Sequence, residues 1–246
     1  MTHETYDAIV RALAEPSFYP HRPARVEHVQ THISHVFLAG SYVYKLKKAV
    51  RFPFLDFSTL ERRRYFCAEE LRLNRRLSPA VYLDLVPIVR TDDGGLALGG
   101  DGELVEPVLR MRRLPADRML PALLGRDAVD AAMIACLARR LADFHQRAAS
   151  GPEITAYAAP PALRSRWDDT IRTLLPFVGT VLPAEEHAIL ADFGPRFVQS
   201  HEPLLRARQA GGHVRDGHGD LHAEHICFVD DSCAARNCNL DCARLQ

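Results

Sequence analysis

The sequence contains no apolar run near the ~20 residues that a bilayer-crossing helix requires. No basic segment leading into an apolar stretch follows Met1, so no secretion signal is expected and a cytoplasmic location is. Neither sign of charge is in excess: 31 basic side chains face 31 acidic ones. A domain devoted to binding phosphodiester backbones normally carries a strong basic surplus, so neither a nucleic acid nor a membrane is an expected partner. Paired Cys-x-x-Cys spacing is missing as well. The six cysteines stand at positions 67, 136, 227, 233, 238 and 242, a distribution that fits neither a disulfide framework nor a thiolate zinc knuckle. The Gly-x-x-x-x-Gly-Lys-Ser/Thr signature of a P-loop is absent, as are internal repeats.

What is present is ordinary in bulk, with 47% hydrophobic and 25% charged residues, enough for one large core or two small lobes. Tyr6, Ile9, Val10 and Leu13 recur at helical spacing up to Pro16 and predict a short helix over 4–15. From Val26 to Lys48 β-branched and aromatic residues dominate, broken at Ala39-Gly40-Ser41, which predicts an antiparallel hairpin or meander. Ser58 followed by Glu61 has the form of a capping box opening a charged helix over 58–77. Strand patterns return over 81–89, 96–98 and 104–111. Beyond residue 113 the chain reads as helical, most clearly over 127–147 and then around 162–176 and 184–208. This change of character predicts an α+β protein of two lobes: a β-rich lobe over 1–113 with one helix, and a mainly helical lobe over 114–246. A cleft between two such lobes is a natural place for a ligand.

The charge is unevenly placed. Between Lys45 and Arg76 ten basic residues face four acidic ones, a pattern shared by a solvated basic strand-and-helix surface and by a site for a phosphorylated small molecule. The most specific segment is Val214–Phe228, Val-Arg-Asp-Gly-His-Gly-Asp-Leu-His-Ala-Glu-His-Ile-Cys-Phe, part of a polar loop over about 211–228 that ends in a short apolar strand. It puts His218, Asp220, His222 and His225 at the edge of a core. Asp220 there can accept a hydroxyl proton and orient the oxygen for attack. The spacing His218-x3-His222-x2-His225 also admits metal ligands, although Gly219 opposes the helix that would align them.

His-Gly-Asp-Leu-His resembles the catalytic loop of aminoglycoside phosphotransferase-like kinases. Tyr-Lys-Leu-Lys-Lys, Arg-Phe-Pro-Phe-Leu-Asp-Phe-Ser-Thr-Leu, Arg-Leu-Asn-Arg-Arg-Leu and Met-Arg-Arg-Leu-Pro occur around it in the order found in the kinase-like half of bacterial fusions between such a phosphotransferase and a P-loop ATPase. The resemblance runs from about residue 25 to 230. It implies a two-lobed, protein-kinase-like fold whose helical lobe is incomplete at Gln246, since relatives of this type continue with further helices. It further implies that ATP and Mg²⁺ are the cofactors. Lys45, or Lys47 on the same strand face, would hold the phosphates, with Glu69 or Glu70 securing the lysine. Thr31 and Ser34 would replace a glycine-rich phosphate loop, and the backbone of Met111, Arg112 and Arg113 would meet the adenine. Asp220 would be the base, with His218 beside it, and Asp241 would bind the metal.

The family places asparagine five residues after the base, where this chain has His225, as a metal ligand or a phosphate contact. Imidazole suits Mg²⁺ poorly. The expected activity is transfer of the ATP γ-phosphate to a hydroxyl of a small molecule, with Arg164, Arg166, Asp168 and Asp169 offered to the acceptor. The alternative is a catalytically weak nucleotide-binding or regulatory module that works with a separate P-loop ATPase domain.

Overall fold

The computed structural model describes residues 3–52, 55–229 and 238–240, with helix or strand backbone alone at His3 and Cys238–Leu240. It is an α+β protein. The chain divides into two compact units, one formed by Met1–Leu141 with His218–Gln246 and the other by Ala142–Gly217. The division therefore falls inside a helix and at the start of the histidine-rich loop, away from the compositional change near residue 113.

The first unit opens with α1 (His3–Ala14), whose Ile9 and Leu13 are fully buried. Three strands follow, β1 (Val26–Gln30), β2 (Ser34–Ala39) and β3 (Tyr42–Lys47), as the alternation and the Gly40 turn predict. Gly40 carries a φ of +64°, which a side chain disfavours. After the short pair β4 (Arg51–Phe52) and β5 (Leu55–Asp56) comes α2 (Leu60–Arg75), then β6 (Tyr82–Arg90), β7 (Leu96–Leu98) and β8 (Glu103–Arg112). The main sheet has the order β1-β2-β3-β8-β6-β7, with antiparallel neighbours throughout.

Period-2 alternation gives this sheet two faces. On one, Phe37, Tyr44, Leu46, Ile88 and Val108 pack with Ile9 and Leu13 of α1 and with Tyr19. On the other, Tyr82, Leu109 and Met111 pack with Val43 and with Leu71 of α2. The predicted capping box is not formed. Thr59 is the N-cap of α2 and its hydroxyl accepts the Arg62 amide. Ser58 lies one residue too early and binds Asp56 through both its amide and its hydroxyl. Arg63 on α2 is fully buried, forms a two-pronged pair with Glu106 at 2.7 and 2.8 Å, and also donates to the Phe57 carbonyl. The first unit continues with α3 (Leu120–Leu124) and ends with β9 (Ile226–Phe228) paired to β10 (Cys238–Leu240).

Helix α4 (Ala131–Arg147) begins four residues later than its predicted start and crosses the boundary between the units. The second unit then contains α5 (Pro152–Ala156), α6 (Pro160–Leu174) and α7 (Ala184–Ala210). Gly194 of α7 lies against the indole of Trp167, whose N–H donates to the Leu190 carbonyl at 3.0 Å. Among the described residues no helix is long and apolar enough to cross a membrane.

Candidate functional site

Lys45 and Lys47 leave β3 on one face because they are two residues apart. Helix α2 answers from that side with a buried stripe of Arg63, Cys67, Glu70 and Asn74, spaced by four, three and four residues. Glu70 lies in this stripe. Glu69, about 100° away around the helix, pairs instead with Arg72 on the exposed side at 2.7 Å. Sequence left both choices open, and helix rotation resolves the carboxylate in favour of Glu70. The lysine choice dissolves, because both are bound: Lys45 Nζ lies 2.7 Å from Glu70 Oε1 and Lys47 Nζ 2.6 Å from Oε2. The side chains are 11%, 4% and 3% exposed for Lys45, Lys47 and Glu70.

Burial by itself would raise the Glu70 carboxyl, but the two ammonium groups overcome that penalty and hold it down at about 2. Lys47 also lies 4.6 Å from the centre of the Phe57 ring. Within this trio one carboxylate serves two ammonium groups. Burial pushes the nearby Cys67 thiol up to about 12, which disfavours the thiolate.

Thr31 and Ser34 meet at the turn between β1 and β2, but they differ in what they still offer. The Thr31 hydroxyl is committed to that turn, donating to the Ser34 carbonyl at 3.2 Å and accepting the amides of Ile33 and Ser34. Ser34 lies opposite Lys47 in the β2–β3 register, and its fully buried hydroxyl has no hydrogen-bond partner among the described residues. Met111 is buried between Val43 and Tyr82 in the sheet. The Arg112 amide donates to Val81 and the Arg113 amide to Ser41, so neither is left over for a ligand; the Arg113 side chain pairs with Glu27 at 3.1 Å.

The loop that follows residue 217 turns at Gly219, whose φ of +84° favours glycine. His218 Nδ1 accepts the Asp220 amide at 3.3 Å. A single 3₁₀ turn, Ala223–His225, with His222 as its N-cap, leads into fully buried β9. The loop is anchored by Arg118, which donates to the Phe228 carbonyl at 2.8 Å, and by a bridge between Met119 and Cys227. Asp220 is half-buried, His222 exposed and His225 buried. His225 Nδ1 donates to the Asp220 carbonyl at 2.7 Å, and burial is the main cause that lowers the imidazole's affinity for a second proton. One ligating atom from each of Asp220, His222 and His225 falls within 4.8 Å of the others. His222, which the spacing His218-x3-His222-x2-His225 admits as a metal ligand, belongs to this cluster, and His218 does not. As N-cap of the turn, His222 accepts the His225 amide on its carbonyl at 2.9 Å, and the two rings lie with centres 3.7 Å apart. Asp241 lies outside the described residues.

In the second unit, Arg164 pairs with Asp168 and Arg172 with Asp169 on the helix surface, while Arg166 binds the Tyr157 carbonyl. An open pocket of about 580 Å³ in this unit is lined instead by Ser150, Thr155, Arg206 and Gln209, among others.

No protein-family model matches the chain. It is similar, at 31% identity over 209 residues, to proteins described as uncharacterized from two strains of Mycobacterium tuberculosis and from Mycobacterium bovis. The alignment covers 85% of this chain, and the chain spans 40% of the length of these curated relatives.

Proposed function

We propose that the chain is a phosphotransferase domain of the aminoglycoside-kinase type, with a protein-kinase-like fold, that binds ATP and phosphorylates a hydroxyl of a small molecule. The buried Lys45–Glu70 pair carries this reading. A strand lysine locked to a helix carboxylate at 2.7 Å is the device by which such enzymes hold nucleotide phosphates, and it follows the sequence order that the motifs imply. The second buried ammonium of Lys47, and the Ser34 hydroxyl, which has no hydrogen-bond partner among the described residues, add to the attraction for an anion. In the reaction the acceptor oxygen forms a bond to the γ-phosphorus as the bond to the ADP oxygen breaks. Asp220 takes the hydroxyl proton.

Magnesium fits less well than nucleotide. Asp220 is the only oxygen ligand in its cluster of described residues, and the neighbouring imidazoles are poor partners for an ion that demands hard oxygens. This favours a second reading, a catalytically weak nucleotide-binding or regulatory module whose partner is a separate P-loop ATPase domain. Calorimetric titration with ATP separates binding from its absence, and Lys45→Ala is expected to weaken the binding. Turnover of a hydroxyl-acceptor panel that disappears in Asp220→Asn while ATP binding persists supports the enzyme. Binding without turnover supports the module, and a folded protein that binds no nucleotide overturns both.

A further inference from the structure

We infer that Asp220, His222 and His225 form a binding site for a borderline divalent cation of the zinc and cobalt type, through one carboxylate oxygen and two imidazole nitrogens. The inference does not rest on the phosphotransferase reading, although both use Asp220. Three features of the loop build it. The 3₁₀ turn Ala223–His225, closed by the His225 amide on the His222 carbonyl at 2.9 Å, brings residues 222 and 225 to one side, with ring centres 3.7 Å apart. The His225 Nδ1–H bond to the Asp220 carbonyl fixes the tautomer and leaves Nε2 as a lone-pair donor, which is how proteins commonly orient a metal-binding histidine. The same bond ties the main chain of Asp220 to the imidazole, so the carboxylate is held beside the two rings, and the potential ligand atoms lie within 4.8 Å of one another.

Donor chemistry selects the ion. Two imidazoles and one carboxylate suit Zn²⁺, Co²⁺ or Fe²⁺, whereas Mg²⁺ and Ca²⁺ call for oxygen sets. Three protein ligands leave at least one coordination position for water or an anion such as a phosphate oxygen. A bound cation would draw on the carboxylate that the proposed transfer reaction needs as a base, so metal occupancy and turnover compete for Asp220.

The test is titration of the chelator-treated full chain with Co²⁺, followed by visible absorption, and with Zn²⁺, followed by calorimetry, both without nucleotide. The expected result is one ion per chain, a nitrogen/oxygen-type Co²⁺ spectrum and no displacement by excess Mg²⁺. Exposed His222 is the variant of choice, since His222→Ala removes a ligand without disturbing the core. It should weaken binding at least about tenfold, the lower end of what loss of even a supporting group costs a metal site. Asp220→Asn should weaken it too, with unchanged circular dichroism confirming that both variants fold. Failure of folded wild-type protein to bind either ion overturns the inference. So does binding undiminished in His222→Ala, or a thiolate-to-cobalt charge-transfer band, which would assign the metal to cysteines. ATP binding measured on the same samples reports on the nucleotide site separately.

Discussion

Replacing Glu70 by glutamine keeps its shape and removes its charge, leaving two ammonium groups packed in a nearly dry site. At an effective dielectric constant of about 20, each ammonium–carboxylate attraction across roughly 2.7 Å is worth about 6 kcal/mol before the cost of taking the ions out of water. The net value follows from the proton affinity. Holding the carboxyl at about 2 rather than 4.5 corresponds to about 3 kcal/mol, which meets the ~3–5 kcal/mol seen when one partner of a buried ion pair is deleted. Urea unfolding at pH 7 should therefore show Glu70→Gln destabilised by about 3 kcal/mol or more. Lys47→Met should cost much less, because it leaves the balanced Lys45–Glu70 pair intact.

The pH dependence has a fixed sign. The native carboxyl binds its proton more weakly than the unfolded one, so its contribution is complete above pH 4.5 and is lost as the pH falls from 4.5 towards 2. The stability gap between wild type and Glu70→Gln should narrow across that window. A loss under about 1 kcal/mol at pH 7, or a gap that does not change with acidification, would refute the buried trio.

His35 is 8% exposed and its Nδ1 lies 2.9 Å from His28 Nε2; burial, with Lys48 and His28 adding to it, lowers its pKa from 6.5 to about 4. The neutral pair is fully stabilising above pH 6.5, and up to about 3 kcal/mol should be lost as the pH falls towards 4. A His35→Phe variant that keeps the same slope in unfolding titrations would remove this cause. In α7, Gly194→Ala would drive a methyl group into the Trp167 ring; a cost of about 1–3 kcal/mol should appear in urea unfolding with a shift in tryptophan fluorescence, and an unshifted spectrum would argue against the close approach. Thr59→Ala should cost about 1 kcal/mol through the lost helix cap, and Ser58→Ala should cost less in the same thermal melts, an order that reverses if the cap lies at Ser58.

Period and punctuation carried most of the architecture. The meander of β1 to β3 and the strands around Gly94-Gly95 follow from alternation and turn residues, because a half-buried sheet writes its two faces directly into the chain. The cap of α2 was misplaced by one residue. Ser58 and Thr59 are both competent caps, and Asp56, which claims Ser58 for its own turn, decides between them. The compact units divide at Leu141/Ala142 and Gly217/His218, not where the composition changes near residue 113. Composition changes where strands give way to helices, while compactness depends on long-range packing, which returns His218–Phe228 to the unit containing the sheet.

The two halves of the candidate chemistry show the same contrast. The cationic half was readable as a type of interaction but not as a choice of partners, since only the rotation of α2 separates Glu70 from Glu69, and only the depth of the site lets one carboxylate serve two lysines. The histidine half looked unpromising as a ligand set because Gly219 rules out an α-helix there. A 3₁₀ turn needs just three residues and begins after that glycine, so the argument against alignment applied to the wrong kind of helix. His225 illustrates the consequence. Its ring commits Nδ1 to the Asp220 carbonyl and leaves Nε2 as a nitrogen donor. Beside the Asp220 carboxylate, the two imidazoles suit borderline cations better than hard ones.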